Sequence, residues 1–199
     1  MEDASNGYDA VAGEYLEGRG TGGRIGASTV REWAKRLHAG AAVLDLGCGP
    51  GFPISQALVD AGCSLYGVDA SPTMIAAFRR RFPEAPSACE AVEVSRFFDR
   101  TFDAVVAWGL IFLLSRDAQE SLIGKVAGSL NPGGSFLFTA PAKPTEWLDS
   151  RTGVRSLSLG VESYKQLLEG AGLRLVGEES DEGHNHYYFT EKAPLSSSR

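Results

Sequence analysis

Two carboxylates bracket a glycine-rich turn. Asp45 stands just before Gly47-Cys48-Gly49-Pro50-Gly51, and Asp69 ends the next apolar run, Leu65-Tyr66-Gly67-Val68. Glycine lets a backbone approach a ligand closely, and one carboxylate has two acceptor oxygens for the two hydroxyls of a ribose. A strand, a glycine turn, a helix and a strand ending in an acid make a nucleoside-binding half-sheet. The spacing also separates ligands. A dinucleotide site uses Gly-x-Gly-x-x-Gly and seats a pyrophosphate over a helix N-terminus. Here the third glycine, Gly51, comes one position early.

These residues need strands to hold them at one edge. Val43 to Leu46 reads as a buried strand, followed by a helix to about Ala61 and a strand ending at Asp69. Ser71-Pro72 supplies a cap and an N1 proline for a helix carrying Met74, Ile75 and Phe78. A weak strand is expected near Ser87 to Ala91. Phe102 to Trp108 is almost unbroken apolar sequence, as in a parallel strand covered on both faces. Asp117 to Leu130 has the spacing of a helix, and Asn131-Pro132-Gly133-Gly134 that of a turn before a strand at Ser135 to Ala140. A helix at Val161 to Glu169 and two strands, Leu173 to Gly177 and His186 to Thr190, complete the pattern. Alternating strands and helices predict a doubly wound α/β sheet with helices on both faces. Residues 1–28 read as a helical lid or lead-in, 29–192 as the main domain and 193–199 as a serine-rich disordered tail. A helix is expected from a cap at Ser28 or Thr29 to about His38. Residues 141–159 lack a core pattern and read as a loop over the strand ends.

At 199 residues the chain fits one domain with a sizeable core. Twenty-five acidic against 19 basic residues give a net charge of −6, which argues against a nucleic-acid partner. Arg79-Arg80-Arg81 falls at a helix C-terminus, where cations complement the dipole. No apolar run reaches the ~20 residues of a membrane span, and the acidic start does not resemble a targeting signal. The expectation is a cytoplasmic protein, monomer or homodimer, with no membrane partner. Cys48, Cys63 and Cys89 form no paired motif, so neither a disulfide framework nor a metal site is expected. Cys48 lacks a neighbouring base that would make it a nucleophile.

Asp45-Leu46-Gly47-Cys48-Gly49-Pro50-Gly51 resembles the first motif of the class I S-adenosylmethionine-dependent methyltransferases. Phe102-Asp103-Ala104-Val105-Val106 and Leu130-Asn131-Pro132-Gly133-Gly134 resemble later motifs of the same family, and Tyr8, Asp9, Ala12, Tyr15 and Arg19 its cofactor lid. The resemblance covers about residues 8 to 190. It implies a mostly parallel seven-stranded sheet with an antiparallel last strand, and S-adenosylmethionine as cofactor, leaving as S-adenosylhomocysteine. It implies that Gly47, Cys48, Gly49 and Gly51 bring backbone to the methionine part. Asp45 would take the amino group, Asp69 the ribose hydroxyls, and Met74, beyond Ala70, would pack on the nucleoside. Tyr15 and Arg19 would hold the carboxylate. The family's acidic triplet near adenine is imperfect here. Val92 and Glu93 are favoured for that place over Glu90, because Phe97 and Phe102-Asp103 then fall in register. Ala107 and Trp108 end the fourth strand. Trp108 admits two readings, a face beneath the sulfonium or a core residue.

The acceptor is less legible. Methyl transfer needs positioning first and a base only for some nucleophiles. No Asn-Pro-Pro-Tyr-like segment follows the fourth strand, which points to a small-molecule acceptor and to oxygen or nitrogen. His184 and His186 are candidate bases, against a reading as exposed and sheet-bonded residues. Arg151 and Arg155 admit two readings, attraction of an anionic substrate or surface charge, of which the second is preferred. The alternatives are a non-catalytic binder of the same cofactor and an enzyme acting on a protein or tRNA.

Overall fold

Strands that are apolar along their whole length must be covered on both faces, and the chain folds accordingly. The structure is a computed structural model describing residues 3–19 and 24–194, apart from the side chains of 18 and 19. Five parallel strands, β1 (Ala42–Leu46), β2 (Ser64–Asp69), β3 (Ser87–Cys89), β4 (Phe102–Ala107) and β5 (Leu130–Thr139), share a sheet with β8 (Leu173–Ser180) and β9 (His186–Lys192). The order is β3-β2-β1-β4-β5-β9-β8, with β9 antiparallel to both neighbours. This is the doubly wound sheet that the alternating pattern predicts, with the seven strands and antiparallel last strand that the resemblance implied.

Alternate residues face opposite layers. Val43, Ala104, Val106 and Leu137 pack with residues of α2 (Ala27–Ala34), α3 (Ile54–Asp60) and α4 (Pro72–Arg81). Leu44, Leu46, Val105 and Phe138 pack with those of α5 (Arg116–Ser129) and α6 (Val161–Gly170). Gln119 is fully buried in that second layer. Its amide donates to the Leu114 and Leu157 carbonyls and accepts from the Tyr164 hydroxyl. The first helix, α1 (Ala12–Arg19), belongs to the lead-in. No helix among the described residues is long and apolar enough to cross a membrane.

Three local expectations are corrected. Neither Ser28 nor Thr29 caps α2; the cap is Gly26 at φ 84°, and the helix ends at Ala34 rather than His38. A Cβ at Gly26 would lie 2.6 Å from Nε1 of Trp108, so close approach to the end of β4 selects glycine over a side-chain cap. The Leu-Asn-Pro-Gly-Gly segment is the start of β5, not a turn before it. Leu130 pairs with Phe102, and the ladder resumes at Ser135 opposite Ala104. A Cβ at Gly134 would stand 2.9 Å from the Asp103 carbonyl oxygen, and the Asp103 carboxylate accepts from the Asn131 amide and the Ala42 N–H. That cluster ties together the beginnings of β1, β4 and β5. Finally, the expected loop at 141–159 contains an antiparallel hairpin, β6 (Thr145–Leu148) and β7 (Arg155–Ser158). β6 is mostly exposed and the buried positions of β7 are serines, Ser156 and Ser158, so neither strand shows an apolar alternation to read.

Candidate functional site

Parallel pairing of β1 with β2 matches Leu46 to Val68, so Asp45 and Asp69 reach the same edge of the sheet. The chain turns there through Gly47, Gly49 and Gly51, at φ 67°, 53° and 79°. The N–H groups of Gly47 and Cys48 both donate to the Val68 carbonyl. The N–H of Gly49 donates to one oxygen of Asp69 and that of Ser71 to the other, each at 2.8 Å. Each Asp69 oxygen therefore accepts one N–H and keeps a lone pair for a ligand.

The glycines differ in purpose. A Cβ on Gly49 would meet nothing within 4 Å, whereas one on Gly51 would lie 2.4 Å from the Phe82 ring. Gly49 holds space open, and Gly51 lets α4 pack against the turn.

A cavity of about 230 Å³ opens over this turn. Of the expected residues, Tyr15, Asp45, Gly47, Cys48, Gly49, Asp69, Ala70, Met74, Val92, Glu93 and Trp108 line it; Glu90 does not. Gly51 and Ala107 lie off its wall, Gly51 held by Phe82 and Ala107 fully buried in the sheet. The Arg19 side chain lies outside the described residues. The Cys48 thiol is buried, and burial pushes its pKa well up, which disfavours nucleophilic thiolate.

Trp108 lies at the border of core and cavity: its ring packs with the first and lines the second. Its N–H donates to the Tyr187 hydroxyl at 2.9 Å, which donates in turn to Asp181 at 2.6 Å. The histidines lie elsewhere. His184 is an exposed turn residue at φ 60°, and His186 at the start of β9 is held by Glu178 and Ser180. Neither lines the cavity. β9 begins at His186, as read from the sequence, and the side chain that reaches Trp108 is the next one, Tyr187.

The cavity's roof comes mainly from the two segments the sequence reads as a lid and as a loop over the strand ends. It is formed by residues 4–6, Tyr8, Asp149 and Arg151 of the β6–β7 hairpin, and Asn185. Tyr8 donates to Asp149 at 3.2 Å, and the Arg151 guanidinium lies 5.3 Å from the Tyr15 ring centre. The Asp9 carboxylate accepts from the Ser71 hydroxyl at 2.5 Å and the Thr73 N–H at 3.0 Å, anchoring the lead-in to the start of α4. The Tyr8-Asp9 pair was visible as a lid signal. Asp149 and Arg151 fall in the segment read as lying over the strand ends, but the hairpin that carries them was unread.

Asp45 is buried, and Ser55 of α3 donates to it at 2.5 Å. Burial pushes its pKa up to about 7; the Ser55 hydrogen bond opposes this and the Asp69 charge adds to it. An acid raised above its ordinary value destabilises the fold once ionised, so this cost is absent near pH 4, grows between about 4 and 7, and is complete above 7. A cationic amino group bound there favours the ionised form. We predict that affinity for S-adenosylhomocysteine falls below about pH 7, by up to ~tenfold per pH unit. Titrations across that range should show the slope in the wild type and lose it in Asp45→Asn; equal slopes would remove Asp45 from the site.

Among the described residues, the cavity carries Asp45, Asp69, Glu93 and Asp149 against one cation, Arg151. Such a wall repels a pyrophosphate and suits a ligand that presents an ammonium, a diol and an exocyclic amine. Gly49, with open space where its Cβ would be, leaves room for it. No group of three or more potential metal ligands occurs among the described residues.

Comparison with known proteins agrees with this geometry. Residues 43–134 match the family model described as a methyltransferase domain. An uncharacterized methyltransferase of Synechocystis is 30% identical over 112 residues, 56% of this chain and 52% of that protein. Phosphoethanolamine N-methyltransferase 1 of Zea mays is 30% identical over 181 residues, 85% of this chain and 34% of that protein. The chain thus spans about half and a third of the lengths of these relatives. Magnesium protoporphyrin IX methyltransferase from Synechocystis, solved with bound S-adenosylmethionine, shares the fold at a TM-score of 0.74 with 14% identity, covering 97% of this chain and 98% of that one.

Proposed function

We propose that the chain is a class I S-adenosylmethionine-dependent methyltransferase and that it methylates an oxygen or nitrogen of a small molecule. The observation that carries this reading is one cavity at the ends of β1, β2 and β4 that gathers Asp45, Gly49, Asp69, Glu93 and Trp108. S-adenosylmethionine, when bound, supplies a methyl group on a cationic sulfur that is already a good leaving group. The residues have simpler tasks. Asp69 and Asp45 hold the two ends of the ligand by charge-assisted hydrogen bonds. Trp108, fixed through Tyr187, offers an aromatic face to positive charge. Tyr8, Asp149 and Arg151 cover the cavity and keep water from it.

The polar groups of the roof are weak bases. Burial raises the Asp149 pKa, but hydrogen bonds from the Thr152 and Arg151 N–H groups and from Tyr8 hold it below the usual carboxylate range. Orientation rather than strong base catalysis is therefore the main contribution on the acceptor side. Small-molecule acceptors are supported by two similar proteins, a phosphoethanolamine and a magnesium protoporphyrin IX methyltransferase, and by the net charge of −6.

The test is incubation of the protein with methyl-labelled S-adenosylmethionine and pooled small hydroxy and amino compounds. Label in the small-molecule fraction is the expected result. Label only on added protein or tRNA would replace the acceptor class. Bound cofactor with no transfer to any pool would make the chain a non-catalytic binder.

A further inference from the structure

The turn that follows β3, residues 91–95, lends its first three residues to one wall of the cavity. The carbonyls of Val92, Glu93 and Ser95 all accept from the Lys125 ammonium of α5, at 2.8, 2.8 and 3.0 Å. That uses all three of its donors. The same ammonium lies 5.0 Å from the Phe97 ring centre. Within the turn, the N–H groups of Val94 and Ser95 close on the Ala91 carbonyl. Those of Ala91, Val92 and Glu93 make no hydrogen bond among the described residues, and these three residues line the cavity. The turn thus has a back, where one cation gathers three carbonyls, and a front with uncommitted donors beside the Glu93 side chain.

We propose that Lys125 is a positioning residue for recognition of the ligand's base: by pinning the back of this turn it sets the cavity-side N–H groups and Glu93 to read an adenine edge. The proposal rests on the reading of the cavity as a nucleoside-cofactor site. Lys125 touches no ligand, and its effect passes through the turn. The stem sits between the buried residues Leu122 and Val126 on α5, so the cation is carried by a helix already fixed in the core. Replacing the head by an apolar group of similar length would free the three carbonyls without opening the core.

The experiment compares Lys125→Met with the wild type in titrations of S-adenosylhomocysteine and of its inosine counterpart, in which a carbonyl replaces the exocyclic amine. The wild type is expected to prefer the adenine ligand. In Lys125→Met, S-adenosylhomocysteine should weaken by about tenfold or more and the preference should shrink towards unity. Lys125→Arg, which keeps a cation with several donors, should recover part of the preference. A loss shared equally by both ligands, or no loss, would overturn the proposal, since a merely structural lysine does not alter discrimination between bases. Lys125→Gln, with two amide donors, is the second variant if the methionine form does not fold, and the same change in ratio is read from it. Failure of the wild type to bind S-adenosylhomocysteine would sink the cofactor reading and this proposal together. Binding and discrimination unchanged in the variants would sink this proposal alone.

Discussion

Asp69→Ala is expected to weaken S-adenosylhomocysteine binding by about 10²–10⁴-fold, the loss of two hydrogen bonds to a charged group at ~1.5–3 kcal/mol each. The carboxylate is well prepared for a diol. Two backbone N–H groups fix its plane, one per oxygen, and leave each oxygen a lone pair. Burial raises its pKa while those two N–H bonds oppose the rise, so the charge sits where water screens it little. Alanine also frees the Gly49 N–H, so the melting temperature should fall as well. Asp69→Asn retains an acceptor oxygen and should lie between alanine and wild type in affinity. An alanine variant binding within about threefold of wild type would remove Asp69 from the ligand contacts. Isothermal titration decides it, with thermal melts confirming that each variant is folded.

The second large effect is a crossover between two glycines in the same turn. Gly49 and Gly51 both have positive φ, so alanine at either carries ~1–2 kcal/mol of left-handed strain. At Gly49 nothing else is lost within the protein, because a Cβ there meets no atom within 4 Å. It does enter the space the ligand needs. At Gly51 the Cβ falls 2.4 Å from the Phe82 ring, adding an overpacking cost of ~1–3 kcal/mol. Gly51→Ala should therefore show the larger drop in melting temperature, about 5–15 °C. Gly49→Ala should show the smaller drop in melting temperature and the larger loss of S-adenosylhomocysteine affinity. The same ranking in both measurements, in either order, would contradict this division of roles.

The division shows what a sequence can and cannot reveal about such a site. The glycine triplet was legible as a ligand turn because positive φ and close approach both demand glycine. The triplet does not say which glycine serves the ligand and which serves Phe82, since both demands select the same residue. Asp45 and Asp69 were legible because strand ends are set by local apolar runs. Val92 and Glu93 could be placed because motifs before and after them limit the register. The histidines were misplaced for the opposite reason. The strand was read with its true start at His186, but which of its side chains meets the end of β4 is set by pairing with β5 and β8, a long-range fact. The hairpin was hidden because Thr145–Leu148 is mostly exposed and Arg155–Ser158, its partner strand, buries serines rather than apolar residues. Arg151 therefore reads as a surface charge in sequence, although the hairpin carries it to the cavity beside Tyr15. Lys125 is hidden in the same way: within α5 it is one polar residue among buried neighbours, and only the fold brings three carbonyls to it.

The wild-type arm of the Asp69 titration tests the central claim most directly, with NADH as the competing ligand. Micromolar binding of S-adenosylhomocysteine and no binding of NADH is the result the acidic cavity and the early third glycine predict. Binding of NADH, or of neither ligand, would contradict them.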